Sequence, residues 1–107
     1  MKIFVVYKRV NLANREEVGW QFASVGENQR LEVISSVGYQ KRMSLEDFAR
    51  HVAGSRSENF LEMGKLTTVS PFVLPKSPYI EEGVGEEELG TFVNVYRARR
   101  EERRSYH

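Results

Sequence analysis

The chain of 107 residues contains no cysteine. Disulfide frameworks, thiolate metal sites and thiol nucleophiles are therefore excluded, and nothing calls for an oxidising compartment. Histidine is nearly as scarce, with only His51 and the final His107. A nucleophile–base–orienter arrangement or an imidazole metal site would have too few donors. The three prolines all fall between residues 71 and 78, so the rest of the chain is free to form regular elements. The apolar run at residues 3–7 follows a single Lys2 and is too short for a membrane span or a signal-peptide core. An excess of charge of one sign is also missing: 16 Lys and Arg against 15 Asp and Glu leave +1. No global field drives the chain onto nucleic acid or an anionic membrane.

What is present suffices for one core. Hydrophobic residues make up 40% of the chain, aromatics 11% and charged residues 29%. This composition predicts one α+β domain over residues 1–107 in a cytoplasmic protein, and the Met1 start suggests a whole gene product.

Three strand-like segments open the chain. Residues 2–9 (KIFVVYKR) are dense in β-branched and aromatic side chains, and the polar stretch 11–17 after them reads as a loop. In residues 18–25, Val18, Trp20 and Phe22 alternate with Gly19, Gln21 and Ala23, the period of a strand with one buried face. A turn at Gly26-Glu27-Asn28-Gln29 leads to a third strand over residues 31–37, with Leu31, Val33 and Ser35 on one face. The pattern predicts an antiparallel meander. A helix follows: Ser44 is its N-cap, Asp47 suits the dipole at N3, and Met43 with Phe48 form a hydrophobic staple. Leu45, Phe48, Ala49 and Val52 form its core stripe, Arg50 and His51 occupy its last turn and Gly54 ends it.

A shorter helical turn is expected within residues 57–63, buried through Phe60, Leu61 and Met63, and then a strand within 66–70. Pro71, Pro75 and Pro78 allow only an edge or an extended loop. Residues 79–90, with three glycines and five glutamates, read as a mobile acidic connection. Residues 91–98 (TFVNVYRA) read as a final strand, and residues 99–107 as a frayed basic tail. The expected architecture is a three-stranded antiparallel meander packed by one helix, then a short helix and one or two further strands.

Residues 2–53, and residues 20–41 above all, resemble the YegP-like family of small proteins of unknown function. Its unit has a tryptophan strand, a turn, an aliphatic strand ending in Ser-x-Gly-Tyr, and a Lys before the helix. Tyr7 and Lys8 match its first strand, Trp20 and Phe22 its tryptophan strand, and Ser36, Gly38, Tyr39 and Lys41 the region that follows. The turn here is Gly-Glu-Asn-Gln, and no second copy of the unit follows Gly54. The resemblance covers about half the chain and implies one helix across a three-stranded antiparallel sheet, with no catalytic residue. Small phage inhibitors, some anti-CRISPR proteins among them, use comparable α+β units, a comparison of fold alone.

No motif supports a reaction. The cluster Glu81, Glu82, Glu86, Glu87 and Glu88 lacks the spacing of a calcium loop. Gly83-Val84-Gly85 is followed by three carboxylates where a phosphate loop needs glycine and positive potential. Pro75-Lys76-Ser77-Pro78 reads as a rigid turn. The charges are nevertheless polarised: residues 1–50 carry eight basic against six acidic side chains, 51–90 three against seven, and 91–107 five against two.

These readings predict a non-enzymatic binding module, without cofactor or metal, that docks on a protein partner. A specific form is a phage-type inhibitor of a nucleic-acid-handling complex, its acidic loop (Glu81, Glu82, Glu86, Glu87, Glu88) imitating a phosphate backbone. The alternative is a nucleic-acid-binding domain using Lys41, Arg42, Arg97, Arg99, Arg100, Arg103 and Arg104. An enzyme would need a site assembled from Glu, Tyr and Arg. No membrane association is expected. Strand one or the proline-flanked segment could leave an exposed edge for a homodimer.

Overall fold

A computed structural model describes residues 1–38 and 42–105, with side chains up to residue 102. The fold is α+β. Strands β1 (Lys2–Asn11), β2 (Glu17–Val25) and β3 (Leu31–Gly38) form the expected meander. Helix α1 (Leu45–Ser55), the short α2 (Phe60–Met63), β4 (Gly64–Thr67), β5 (Tyr79–Gly83) and helix α3 (Glu86–Ser105) follow. The sheet is mixed, in the order β3-β2-β1-β4. β1 is its central strand: residues 2–5 pair with β4 in parallel, and residues 7–11 pair with β5 antiparallel. Strand one is therefore not an exposed edge. The proline segment joins the sheet only through the bridge between Phe72 and Glu81.

Register decides which face each strand shows. A bulge opposite Phe22 and Ala23 places Ser35 beside Phe22 and Val33 beside Ala23, so Ile34 is the extra residue. The face of β3 switches there. Leu31 and Val33 look away from the helices, whereas Ser35 and Val37 look toward them, which corrects the single face expected for Leu31, Val33 and Ser35.

The helical layer covers one face. Phe4, Phe22, Phe48, Phe60, Phe92 and Tyr96 interlock there with ring centroids 5.2 to 6.4 Å apart. Each such ring, fully buried, contributes on the order of 2–3 kcal/mol. The Ser44 hydroxyl caps α1 by accepting from the Asp47 N–H at 3.1 Å. The helix runs one residue past Gly54, and His51 lies exposed on it with its ring stacked on Phe48.

The final strand expected over residues 91–98 is helical, as are residues 99–105 of the expected tail; Tyr106 and His107 lie outside the described residues. Phe92 and Tyr96 stand at i and i+4, and Leu89 and Val93 complete a helical stripe against the core. Gly85 begins the helix: its carbonyl accepts from the Leu89 N–H at 2.9 Å, and its own N–H donates to the Glu88 carboxylate at 3.2 Å. Burial against α1 and this cap outweigh the β-branched content of the segment. Among the described residues no helix is long and apolar enough to cross a membrane.

Candidate functional site

The face of the sheet away from the helices carries two cross-strand apolar rows. Ile3, Val25 and Leu31 are register partners, and so are Val5, Ala23 and Val33. Residues 68–78 cross this face as a strap. Leu74 to Ser77 form a turn closed by a bond from the Ser77 N–H to the Leu74 carbonyl, with Pro75 second and Lys76 third at φ 63°, the geometry of a type II turn. Phe72 and Glu81 exchange backbone hydrogen bonds of 2.8 and 3.0 Å, and the Phe72 ring meets Tyr7 edge-on at 5.9 Å. Between strap and sheet lies a cleft of about 480 Å³, with Val5, Val25 and Leu31 on one side and Val69, Pro71 and Phe72 on the other. The strap covers only part of the face: Val33 remains 46% exposed and Val73, on the strap, 48%.

Beneath Phe72 the next two rows are polar. Tyr7 and Gln21 are register partners, as are Arg9 and Glu81. Glu81 has no solvent exposure, and its Oε1 accepts from the Arg9 Nε at 2.7 Å. Arg9 also lies over the Tyr79 ring, 5.2 Å from its centroid. Among the described residues, the Glu81 Oε2 and the Gln21 Oε1 are buried and have no hydrogen-bond partner. Burial pushes the Tyr7 hydroxyl from 10.0 up to about 12, the Glu81 carboxylate adds to the rise, and the Arg9 guanidinium opposes it.

The five glutamates expected in one acidic loop are divided among different roles. Glu81 is locked in the sheet with Arg9, and Glu82, on the opposite face of β5, lies 3.4 Å from Arg15. Glu86, Glu87 and Glu88 form the first turn of α3, where carboxylates complement the helix dipole. The mobile connection is thus a strand and a capped helix start, because Arg9 and the core engage its residues.

The arginine cluster is divided too. Arg100 donates to the carbonyls of Ala53, Arg56 and Ser57 at 2.8 to 3.2 Å and fastens α3 to the end of α1. Arg99 pairs with Glu102 at 3.1 Å, and Arg97 is exposed on α3. Arg42 borders a small hollow beside Trp20, over whose ring Lys8 sits at 4.9 Å. Lys41 lies outside the described residues, as do the side chains of Arg103 and Arg104.

The sequence reading missed the cluster of Tyr7, Arg9 and Glu81 and the strap cleft. One signal was available: residues 3–7 are apolar at every position, a sign that β1 is covered on both faces. No family model, curated protein or solved structure matches this chain.

Proposed function

We propose that this chain is a non-enzymatic binding module that docks on a protein partner through the strap side of its sheet. The observation that carries the reading is the apolar surface on the strap side of the sheet, where Ile3, Val33, Val73 and Leu74 stay exposed. Exposed apolar side chains gathered on one face mark protein interfaces. Exposed Arg30, Lys65 and Lys76 belong to the turn, strand and strap that border this surface, against one acid, Glu27. Basic charge around an apolar centre favours a partner with carboxylates around its own apolar patch and disfavours a second copy of this chain.

The phosphate-mimicking form of the reading retains only the first turn of α3, since Glu81 and Glu82 are engaged within the fold. The nucleic-acid alternative is weakened by the commitment of Arg99 and Arg100 to contacts inside the chain.

The test is affinity capture from the native host with the wild-type chain and Val33→Asp, which changes an exposed side chain and leaves the core intact. A partner held by the wild type and lost from the folded variant supports the reading. Equal capture by both overturns it. A wild-type dimer in sedimentation, dissolved by Val33→Asp, would assign the surface to a second copy instead.

A further inference from the structure

We propose that a buried water molecule donates one hydrogen to the Glu81 Oε2 and the other to the Gln21 Oε1, tying β5 to β2 across the central strand. Both atoms lie inside the fold, apart from the exposed apolar side chains of the strap side. Both are acceptors only, and among the described residues neither has a partner. A carboxylate or amide oxygen stripped of solvent and left bare costs more than an ordinary hydrogen bond returns, so such oxygens are met by a protein donor or an ordered water. Arg9 does not meet this one. A guanidinium can serve both oxygens of a carboxylate, but here the Nε bonds the Oε1 at 2.7 Å and the Oε2 receives nothing.

Register brings the two oxygens to one stretch of the sheet. Gln21 stands beside Tyr7 on the β2 side, Glu81 stands beside Arg9 on the β5 side, and Tyr7 and Arg9 are alternate residues of β1 that share a face. Tyr7 also supplies the third contact that a buried water ordinarily makes. The Glu81 charge acts on its hydroxyl, which puts phenol and carboxylate in one neighbourhood. That hydroxyl keeps its proton up to about pH 12 and is a donor for the water's own oxygen.

Charge and hydrogen count select the occupant. Two acceptors call for two hydrogens on one small group. A sodium or ammonium ion would bring a second positive charge beside Arg9, which already balances Glu81. Glu81 has no solvent exposure, so a side chain of a docked protein does not reach its second oxygen either. Water is neutral, carries both hydrogens and fits a polar site closed on all sides.

The experiment pairs a crystal structure of the wild type at atomic resolution with magnetic relaxation dispersion of the water oxygen, which counts waters held longer than the protein takes to tumble. The dispersion is repeated on Gln21→Met and on the double variant Arg9→Met with Glu81→Leu, after urea unfolding has shown that each folds. The crystal should show one water within hydrogen-bond distance of both oxygens. In solution the wild type should hold one more long-lived water than the double variant, and Gln21→Met, which keeps the length of the side chain and removes one acceptor, should shorten the residence of that water several-fold. A protein N–H or O–H seated on the Glu81 Oε2, from a turned Arg9 or from a Gln21 amide rotated by half a turn, overturns the proposal. So does a peak with the short contacts of a metal ion, a water that meets only one of the two oxygens, or a count of long-lived waters equal in the wild type and the double variant.

Discussion

The Nε of Arg9 lies 2.7 Å from the Oε1 of Glu81, joining the central strand to β5 through a carboxylate that no water reaches from outside. The partners are 72 residues apart and directly opposite in register. A charge buried in this way depends on its partner, because removing one member leaves the other uncompensated in a poorly polarisable interior. Arg9→Ala is therefore expected to lower unfolding stability by about 3 kcal/mol, a large part of what a small domain has. The double variant Arg9→Met with Glu81→Leu should recover most of that loss. Urea unfolding of the three proteins checks both statements, and a double variant no better than Arg9→Ala would refute the explanation by an uncompensated charge.

Tyr7, in the adjoining row, gives this buried pair a pH signature. Its hydroxyl is raised to about 12 by burial and by the Glu81 carboxylate, against 10.0 for the unperturbed group. The folded state thus holds the phenolic proton more tightly than the unfolded state does. The stabilisation is fully present below pH 10 and is lost as pH climbs through the interval up to about 12. Tyr7→Phe should flatten this alkaline limb in a series of thermal melts. Ultraviolet titration of the folded wild type should show a late-ionising tyrosine that disappears in the variant.

Arg100 ties α3 to the end of α1. Its guanidinium bonds three carbonyls at and just beyond the end of α1, where helix carbonyls lack partners of their own. Arg100→Met keeps the stem and removes the donors, and is expected to lower stability by about 1–2 kcal/mol. Arg97→Met, on an exposed position of the same helix, should stay within about 0.5 kcal/mol of wild type. Thermal melts of the pair compare them directly. Equal effects would mean that Arg100 owes its role to charge alone.

The legible parts of the sequence were those with local causes. The β-branched run of β1, the turn at residues 26–29, and the Ser44 cap with its Met43 and Phe48 staple each depend on neighbours within a few residues. The segment containing Phe92 and Tyr96 was ambiguous because four residues separate them, a spacing that suits one face of a strand and one face of a helix alike. What settled it lies far along the chain: the core rings of Phe22 and Phe48, and the carbonyls that receive Arg100. The glutamates misled for a similar reason. Glu81 reads like its acidic neighbours until Arg9 is placed opposite it, and register between β1 and β5 is a tertiary fact.

The strap is held by a close approach that tolerates only glycine. A Cβ built on Gly83 would fall 2.1 Å from the Val69 carbonyl oxygen, a backbone atom that cannot rotate away. Gly83→Ala must therefore push residues 68–72 off the sheet, opening the cleft beside Val5 and loosening the contact between Phe72 and Tyr7. Overpacking of this kind costs about 1–3 kcal/mol. The damage should be local, because Phe72 and Val69 of the strap pack on the Val5, Tyr7 and Ala23 side of the sheet, whereas the helices pack on the other. Hydrogen exchange followed by NMR should show faster exchange at the Phe72 and Glu81 amides, which bond to each other's carbonyls. The amides of α1 and of α3 around Phe92 should keep their protection relative to global unfolding. Uniform acceleration along the whole chain would instead mean that Gly83 supports the entire fold and that the strap is not a separable element.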